Sequence, residues 1–132
     1  MKRRILAVVV GYAVWTALWL GGNALFFSEL AAAAQAGEAI TDGGALAGVL
    51  GLSFVCSLIA GLVTASIWAS RRVALITGAL LLLTGIGVQA SAWSLMPVWY
   101  HLVFLAAIVP LVLLGARMRG ASPQAGAQAS PA

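Results

Sequence analysis

Residues 44–72 read GALAGVLGLSFVCSLIAGLVTASIWASRR, with no Asp, Glu, Lys or Arg before the closing arginine pair. A helix of about 20 apolar residues, rising ~1.5 Å per residue, spans the ~30 Å hydrocarbon core of a bilayer. A helix also satisfies its backbone hydrogen bonds within the segment, as hydrocarbon requires. The stretch therefore predicts a membrane-spanning helix over residues 44–70 that stops at a positively charged boundary.

Three further runs have the same character, at residues 5–27, 73–95 and 97–116. The 132 residues are 63% hydrophobic and 8% charged, whereas soluble domains carry about 25% charged residues. A soluble domain of this length could not bury so much apolar surface. We therefore expect an all-α membrane protein with four transmembrane helices in an antiparallel bundle, forming one domain over residues 1–119.

The connections between the runs differ in length. Only Arg71 and Arg72 separate the second and third runs, and a few residues around Pro97 separate the third and fourth. Short links favour antiparallel neighbours, so the second and third spans are predicted to be close partners. In the longer outer loop, residues 28–43, the Ala-rich stretch 31–36 predicts either an extension of the first helix or a short surface helix before Gly37. Asp42 is placed to cap the second span.

Charge is divided cleanly between the two sides of the predicted bundle. All three acidic residues, Glu29, Glu38 and Asp42, fall in the outer loop. The basic residues fall on the other side, and they are Lys2, Arg3, Arg4, Arg71, Arg72, Arg117 and Arg119. The positive-inside rule then predicts cytoplasmic anchors and two cytoplasmic termini in a bacterial plasma (inner) membrane. So few basic residues, each beside a span, do not predict nucleic-acid binding.

The two ends of the chain allow further expectations. The basic start, an apolar run and the small residues at 34–36 also resemble a secretory signal peptide, whose cleavage would leave three spans. The apolar run is longer than the 7 to 15 residues typical of a signal core, which favours a retained helix. Residues 120–132 are Ala, Gly, Ser, Gln and Pro without apolar periodicity and predict a disordered cytoplasmic tail.

Small residues recur at helical spacing in the second and third spans. Such residues allow close approach of helix backbones. The candidate packing positions are Gly44, Gly48, Ser57, Gly61, Ala65, Gly78, Gly85 and Gly87. They favour packing within the chain over a homodimer, although both are open. Pro110, inside the fourth span, predicts a kink.

A few polar residues fall at a similar depth near the outer side, and we call them the polar cluster: Asn23, Glu29, Gln89, Ser91 and His101. Buried amides and imidazoles gain by meeting one another, so the cluster predicts either hydrogen bonds that hold helices together or an outward-facing cavity for a small polar headgroup or solute. His101, the only histidine, could also bind haem iron if a second histidine came from another subunit.

Motifs of soluble enzymes are missing from the sequence, which predicts no catalytic, cofactor-binding or metal-binding residue and no enzyme activity. Cys56 is the only cysteine, so an intramolecular disulfide and a paired-cysteine metal site are excluded. The leading functional expectation is an accessory, assembly or interaction subunit of a membrane complex. The alternative is a small dimeric transporter or a carrier of lipid or hydrophobic solute that uses the polar cluster, and a weaker one is a haem or quinone protein.

Overall fold

The computed structural model describes residues 2–119, and the predicted tail at 120–132 lies outside them. The described residues form five α-helices and one 3-10 turn, without strands. The elements are α1 (Lys2–Phe26), α2 (Ser28–Gln35), α3 (Gly43–Ile67), α4 (Arg71–Ser91), the 3-10 turn (Trp93–Leu95) and α5 (Val98–Met118). Four of these helices, α1, α3, α4 and α5, are long and apolar enough to cross a membrane, which is the make-up of an integral membrane protein.

Side-chain caps set the limits of α3 and α4. Asp42 is the N-cap of α3, as predicted, and its Oδ1 accepts hydrogen bonds from the backbone N–H of Gly44 at 3.0 Å and of Ala45 at 3.4 Å. Helix α3 ends at Ile67 because Trp68 is extended, with φ −146° and ψ 106°. Helix α4 then begins after Ser70, whose Oγ accepts from the N–H of Val73.

The turn between α4 and α5 is longer than the sequence predicts. Helix α4 ends at Ser91, and the 3-10 turn occupies residues that the sequence predicts to be the end of the third span. Pro97 is the residue just before α5, with φ −62° and ψ 149°, so its missing N–H removes no helical hydrogen bond.

The outer loop contains a separate helix, which confirms one of the two predicted alternatives. Phe27 interrupts the chain between α1 and α2 with φ −132° and ψ 35°. After α2, Gly37 adopts φ +76°, the left-handed conformation that ends many helices and that glycine adopts without steric cost. The loop is then fastened to the α4–α5 turn, since the Ile40 N–H donates to the Leu95 carbonyl at 2.6 Å.

Helix α3 packs mainly against α5 and α1, and only sparsely against α4. The prediction that the second and third spans are close partners is therefore wrong. A Cβ at Gly61 would lie 2.0 Å from the Val112 carbonyl oxygen, and one at Gly115 would lie 2.1 Å from the Leu58 carbonyl oxygen. The backbones of α3 and α5 thus meet at two glycines, while the short α3–α4 link only brings two helix ends together.

The other predicted packing positions have different surroundings. A Cβ at Gly48 would lie 3.0 Å from the Phe27 ring, one at Gly85 would lie 3.0 Å from Ile108 Cδ1, and one at Gly78 would lie 3.5 Å from Val109. A Cβ at Gly44 would meet only the capping Asp42, and Gly87 has no neighbour within 4 Å. Ser57 and Ala65 are buried. Gly11, which the sequence did not single out, lies close enough to Thr64 that a Cβ would be 2.0 Å from its hydroxyl oxygen.

Basic side chains gather around the end of α3, and we call this side of the molecule the basic end. Arg3 Nε donates to the Ile67 carbonyl at 3.1 Å, and Arg119 Nε donates to the Ser66 hydroxyl at 3.1 Å. The Arg4 guanidinium lies 5.1 Å from the centre of the Trp68 ring, a cation–π distance. These bonds satisfy polar groups where the apolar helix ends. The side that carries Glu29, Glu38 and Asp42 is the acidic end.

Candidate binding cavity

His101 and Gln89 form the most deeply buried polar contact near the acidic end. His101 lies one turn into α5 and is 0% exposed, and Gln89 lies in the last turn of α4 and is 3% exposed. The ring Nδ1 of His101 contacts Gln89 Oε1, and its Nε2 lies 3.0 Å from the Trp93 carbonyl oxygen. The Trp93 indole stacks on the imidazole with ring centres 4.3 Å apart. The imidazole is therefore fixed on both edges and on one face.

A cavity of about 350 Å³ lies beside this contact, between all the helices and the α4–α5 turn. Five polar side chains line it, namely Asn23, Gln35, Gln89, Ser91 and Tyr100. Its walls are otherwise apolar and are formed by Trp19, Leu20, Leu30, Ala31, Ala34, Ile40, Leu46, Val49, Val88, Ala92, Leu95 and Met96. A mostly apolar hollow with a few polar groups is typical of small-molecule sites, and this volume is at the lower end of their usual range of about 300–1,000 Å³.

The local sequence explains why a space remains here. Ala31 and Ala34 form the wall contributed by the middle of α2, and their methyl groups are too small to fill the space above α3. The bond from Ile40 to Leu95 holds the loop across the helix ends. On the α1 side, the Trp19 ring packs edge-on against Phe104 with centres 5.2 Å apart, which gives the cavity a rigid aromatic wall.

The structure brings together only part of the polar cluster. Gln89 and His101 are in contact, but Asn23 Nδ2 donates to the Trp19 carbonyl at 2.8 Å and Ser91 Oγ to the Val88 carbonyl at 2.6 Å, each within its own helix. Both nevertheless line the cavity. Glu29 is exposed and lines a different, wider hollow together with Asp42. The cavity's polar lining is therefore neutral.

Sequence reasoning missed two polar residues of the cavity, Gln35 and Tyr100. Tyr100 is 2% exposed, lines the cavity together with Gln89, and packs edge-on against the His101 ring with ring centres 5.6 Å apart. Because tyrosine is common at membrane interfaces, a tyrosine near the end of a span indicates only an interfacial anchor. Its position directly before His101, on a helix where adjacent residues face different sides, gives no signal that it shares the cavity wall with Gln89.

A second set of polar side chains joins helices nearer the middle of the bundle. The Tyr12 and Thr84 hydroxyls are 2.6 Å apart, Trp15 Nε1 donates to Ser57 Oγ at 3.1 Å, and the Thr64 and Thr77 hydroxyls are 3.5 Å apart. These bonds link α1 to α4, α1 to α3, and α3 to α4. Since each of these six side chains has a protein partner, the three bonds hold the helices together in this region.

The geometry does not favour the haem interpretation. Both ring nitrogens of His101 already have partners, so iron could bind only after one of those contacts broke. Within residues 2–119, His, Cys, Asp and Glu side chains do not gather in any group of three that could hold a metal ion.

Comparison of this chain with protein-family models, with curated proteins and with solved structures finds no match.

Proposed function

We propose that this chain is a noncatalytic membrane protein that binds one small, neutral, largely apolar molecule in the cavity beside Gln89 and Tyr100. The observation that carries the proposal is the pairing of an apolar hollow of about 350 Å³ with buried polar groups at its wall. Of the functions expected from the sequence, this corresponds to the carrier of lipid or hydrophobic solute.

Polar contacts, more than apolar ones, determine what such a site selects. A hydrocarbon body gains little by moving from lipid tails into the cavity, because lipid tails are as apolar as leucine. A hydroxyl or carbonyl group does gain, because hydrocarbon offers it no hydrogen-bond partner. The neutral lining of Asn23, Gln89 and Tyr100 suits an uncharged polar group attached to a short chain.

The proposal includes an antiparallel arrangement of the four long helices, with the basic end in the cytoplasm of a bacterial cell. The bonds from Arg3 and Arg119 to the end of α3 support it, because they join the start of α1, the end of α3 and the end of α5. A reporter fused after residue 119 should be active only as a cytoplasmic reporter, and one inserted after Gln35 only as an external reporter. Activity of both on the same side would contradict the arrangement.

Photolabelling tests the cavity directly. The full chain in lipid nanodiscs is exposed to a diazirine derivative of a short-chain alcohol, and the labelled residues are identified by mass spectrometry. Labelling should concentrate on the cavity wall and should be competed by unlabelled 1-octanol. The proposal fails if the label is found only on lipid-facing residues and is not competed.

Helix α2 offers a matched pair of variants for this experiment. Ala34 lines the cavity, whereas Ala32 is exposed on the same helix and does not. Ala34→Phe should fill the cavity and lower specific labelling by about tenfold, as expected if about 1.4 kcal/mol of binding is lost. Ala32→Phe makes the same chemical change on the surface and should leave labelling unchanged. Equal effects of the two variants would contradict the proposal.

An accessory or interaction subunit is the second candidate. Gly51 on α3 and Gly87 on α4 have no neighbour within 4 Å, so each leaves a stretch of backbone open to a further helix. Cysteine placed at either glycine, in a Cys56→Ala background, should crosslink to a partner chain or to a second copy if this function holds. A crosslinked homodimer with a labelled cavity would point to the dimeric carrier. Absence of crosslinks from intact membranes would contradict the subunit role.

A further inference from the structure

The hydrogen bonds around His101 cannot all form while the ring is neutral and the Gln89 amide keeps its present orientation. The Trp93 carbonyl only accepts, so Nε2 must carry a hydrogen. A neutral ring then has no hydrogen on Nδ1, yet Nδ1 faces Gln89 Oε1, which is also an acceptor. Two acceptors in contact repel, so either the amide turns over or the ring carries a second proton.

With a neutral ring, turning the amide over satisfies every group. Exchanging the oxygen and nitrogen of Gln89 leaves the shape of the side chain nearly unchanged. The amide NH₂ then donates to His101 Nδ1, and Oε1 is left free to accept from a group in the cavity, which Gln89 lines. Both hydrogen bonds, from Gln89 to His101 and from His101 to the Trp93 carbonyl, then point away from the cavity. The Gln89 carbonyl consequently offers the cavity lone pairs.

With a doubly protonated ring, the hydrogen bond between His101 and Gln89 reverses, while Nε2–H still donates to the Trp93 carbonyl. Nδ1–H donates to Gln89 Oε1, in the orientation in which the two atoms now meet. The amide NH₂ is then free to donate into the cavity. The cavity then offers a donor.

We infer that His101, through Gln89, sets which polar group the cavity accepts: a hydrogen-bond donor such as an alcohol while the ring is neutral, and an acceptor such as a ketone once the ring is protonated. The inference rests on the proposed function, because it specifies the ligand class of the same cavity. His101 itself does not line the cavity, so it acts as a positioning residue for Gln89.

Few other ionisable groups face the imidazole. From α5, Tyr100 packs edge-on against it with ring centres 5.6 Å apart. From α4 its partner is the neutral Gln89, and from the 3-10 turn it is the neutral Trp93. From α3, the acidic Asp42 is occupied in capping that helix, and Glu29 lines the other hollow. Protonation of His101 therefore acts mainly on Gln89.

The first measurement needs no ligand. Because the chain has a single histidine, ¹⁵N-histidine labelling of the full protein, purified through a tag without histidine, gives one pair of ring signals. In lipid nanodiscs the neutral ring should be the tautomer that carries its hydrogen on Nε2. A neutral ring with the hydrogen on Nδ1 would overturn the inference. The same spectra, recorded between about pH 5 and pH 8, show where the ring gains its second proton.

The second measurement compares two probes of the same chain length, 1-octanol and 2-octanone, as competitors of the photolabel. While the ring is neutral, octanol should compete about five- to tenfold better than octanone, as expected for one additional hydrogen bond. If the spectra show protonation, this preference should fall with the same midpoint. Equal competition by the two probes with a neutral ring would overturn the inference while leaving the proposed function standing. Binding of neither probe at any pH would overturn both.

Two variants provide the controls. Gln89→Leu removes the amide and should reduce the octanol preference to about twofold or less, and its folding is checked by thermal unfolding. Tyr12→Phe removes a hydroxyl that is bonded to Thr84 away from the cavity, and it should keep the full preference. A preference that survives in Gln89→Leu would count against the inference.

Discussion

Replacing Gly61 by alanine should separate α3 from α5. The new methyl would lie 2.0 Å from the Val112 carbonyl oxygen, about 1.4 Å short of the ~3.4 Å of an ordinary contact. That oxygen belongs to the backbone, so one helix must move as a whole. A gap of even 0.5–1 Å forfeits roughly a quarter to a half of the dispersion energy of the atoms it separates. We expect the separation of the helices to lower the free energy of unfolding by about 3 kcal/mol. The better helix propensity of alanine should offset this loss by up to about 1 kcal/mol.

The assay is equilibrium unfolding of the full chain in mixed micelles with increasing SDS. Gly51→Ala, on the same helix with no neighbour within 4 Å, should be neutral or more stable, so the two variants should differ by about 2–4 kcal/mol. Gly115→Ala should resemble Gly61→Ala, because its methyl would lie 2.1 Å from the Leu58 carbonyl oxygen. Equal stability of Gly61→Ala and Gly51→Ala would refute the close contact of α3 and α5.

Three further predictions concern single side chains. Ser57→Ala should lower the free energy of unfolding by about 1 kcal/mol in the same assay, because the Trp15 indole loses its hydrogen-bond partner. Ser53→Ala should be neutral or stabilising, because the Ser53 hydroxyl is buried without a partner. Asp42→Ala should lower stability by about 1 kcal/mol through loss of the N-cap, and the exposed Glu38→Ala should not. A maleimide should leave Cys56, which is 1% exposed, unlabelled until SDS unfolds the protein; rapid labelling in nanodiscs would contradict its burial.

The four long helices could be predicted from the sequence because hydrocarbon leaves the backbone few alternatives. A charge-free run of sufficient length must be helical, and Asp42 and Gly37 mark boundaries by chemistry that acts within a few residues. The end of α4 is harder to predict from the sequence. Residues 92–95 are as apolar as a helix end, and their turn depends on Pro97 and on the hydrogen bond between Leu95 and the outer loop.

The choice of helix partners could not be predicted from link length. A short link fixes where two helices meet at one end but says nothing about the rest of their length. The partner of α3 is decided by Gly61 and Gly115, which lie far apart in sequence and meet only in the folded molecule. Nothing in the spacing of glycines on one helix indicates which other helix will approach them.

The depth of the polar residues in the membrane predicts only part of the site. Gln89 and His101 lie at similar depth on adjacent helices that are joined by a short turn, and they do meet. Asn23 and Ser91 lie at that depth too, but each has a carbonyl of its own helix within reach and bonds to it. Depth alone does not determine the direction of a side chain, so the cavity and the role of Tyr100 needed the folded structure.

The bond between Arg3 and the Ile67 carbonyl has a consequence for biosynthesis. The two residues are 64 positions apart, and ribosomes add about 5–20 residues per second, so Arg3 waits on the order of 3–13 s before its partner has been made. During that time α1 can enter the membrane but cannot take its final place. The start of α1 can therefore be fastened to the end of α3 only after α2, the outer loop and α3 have been made.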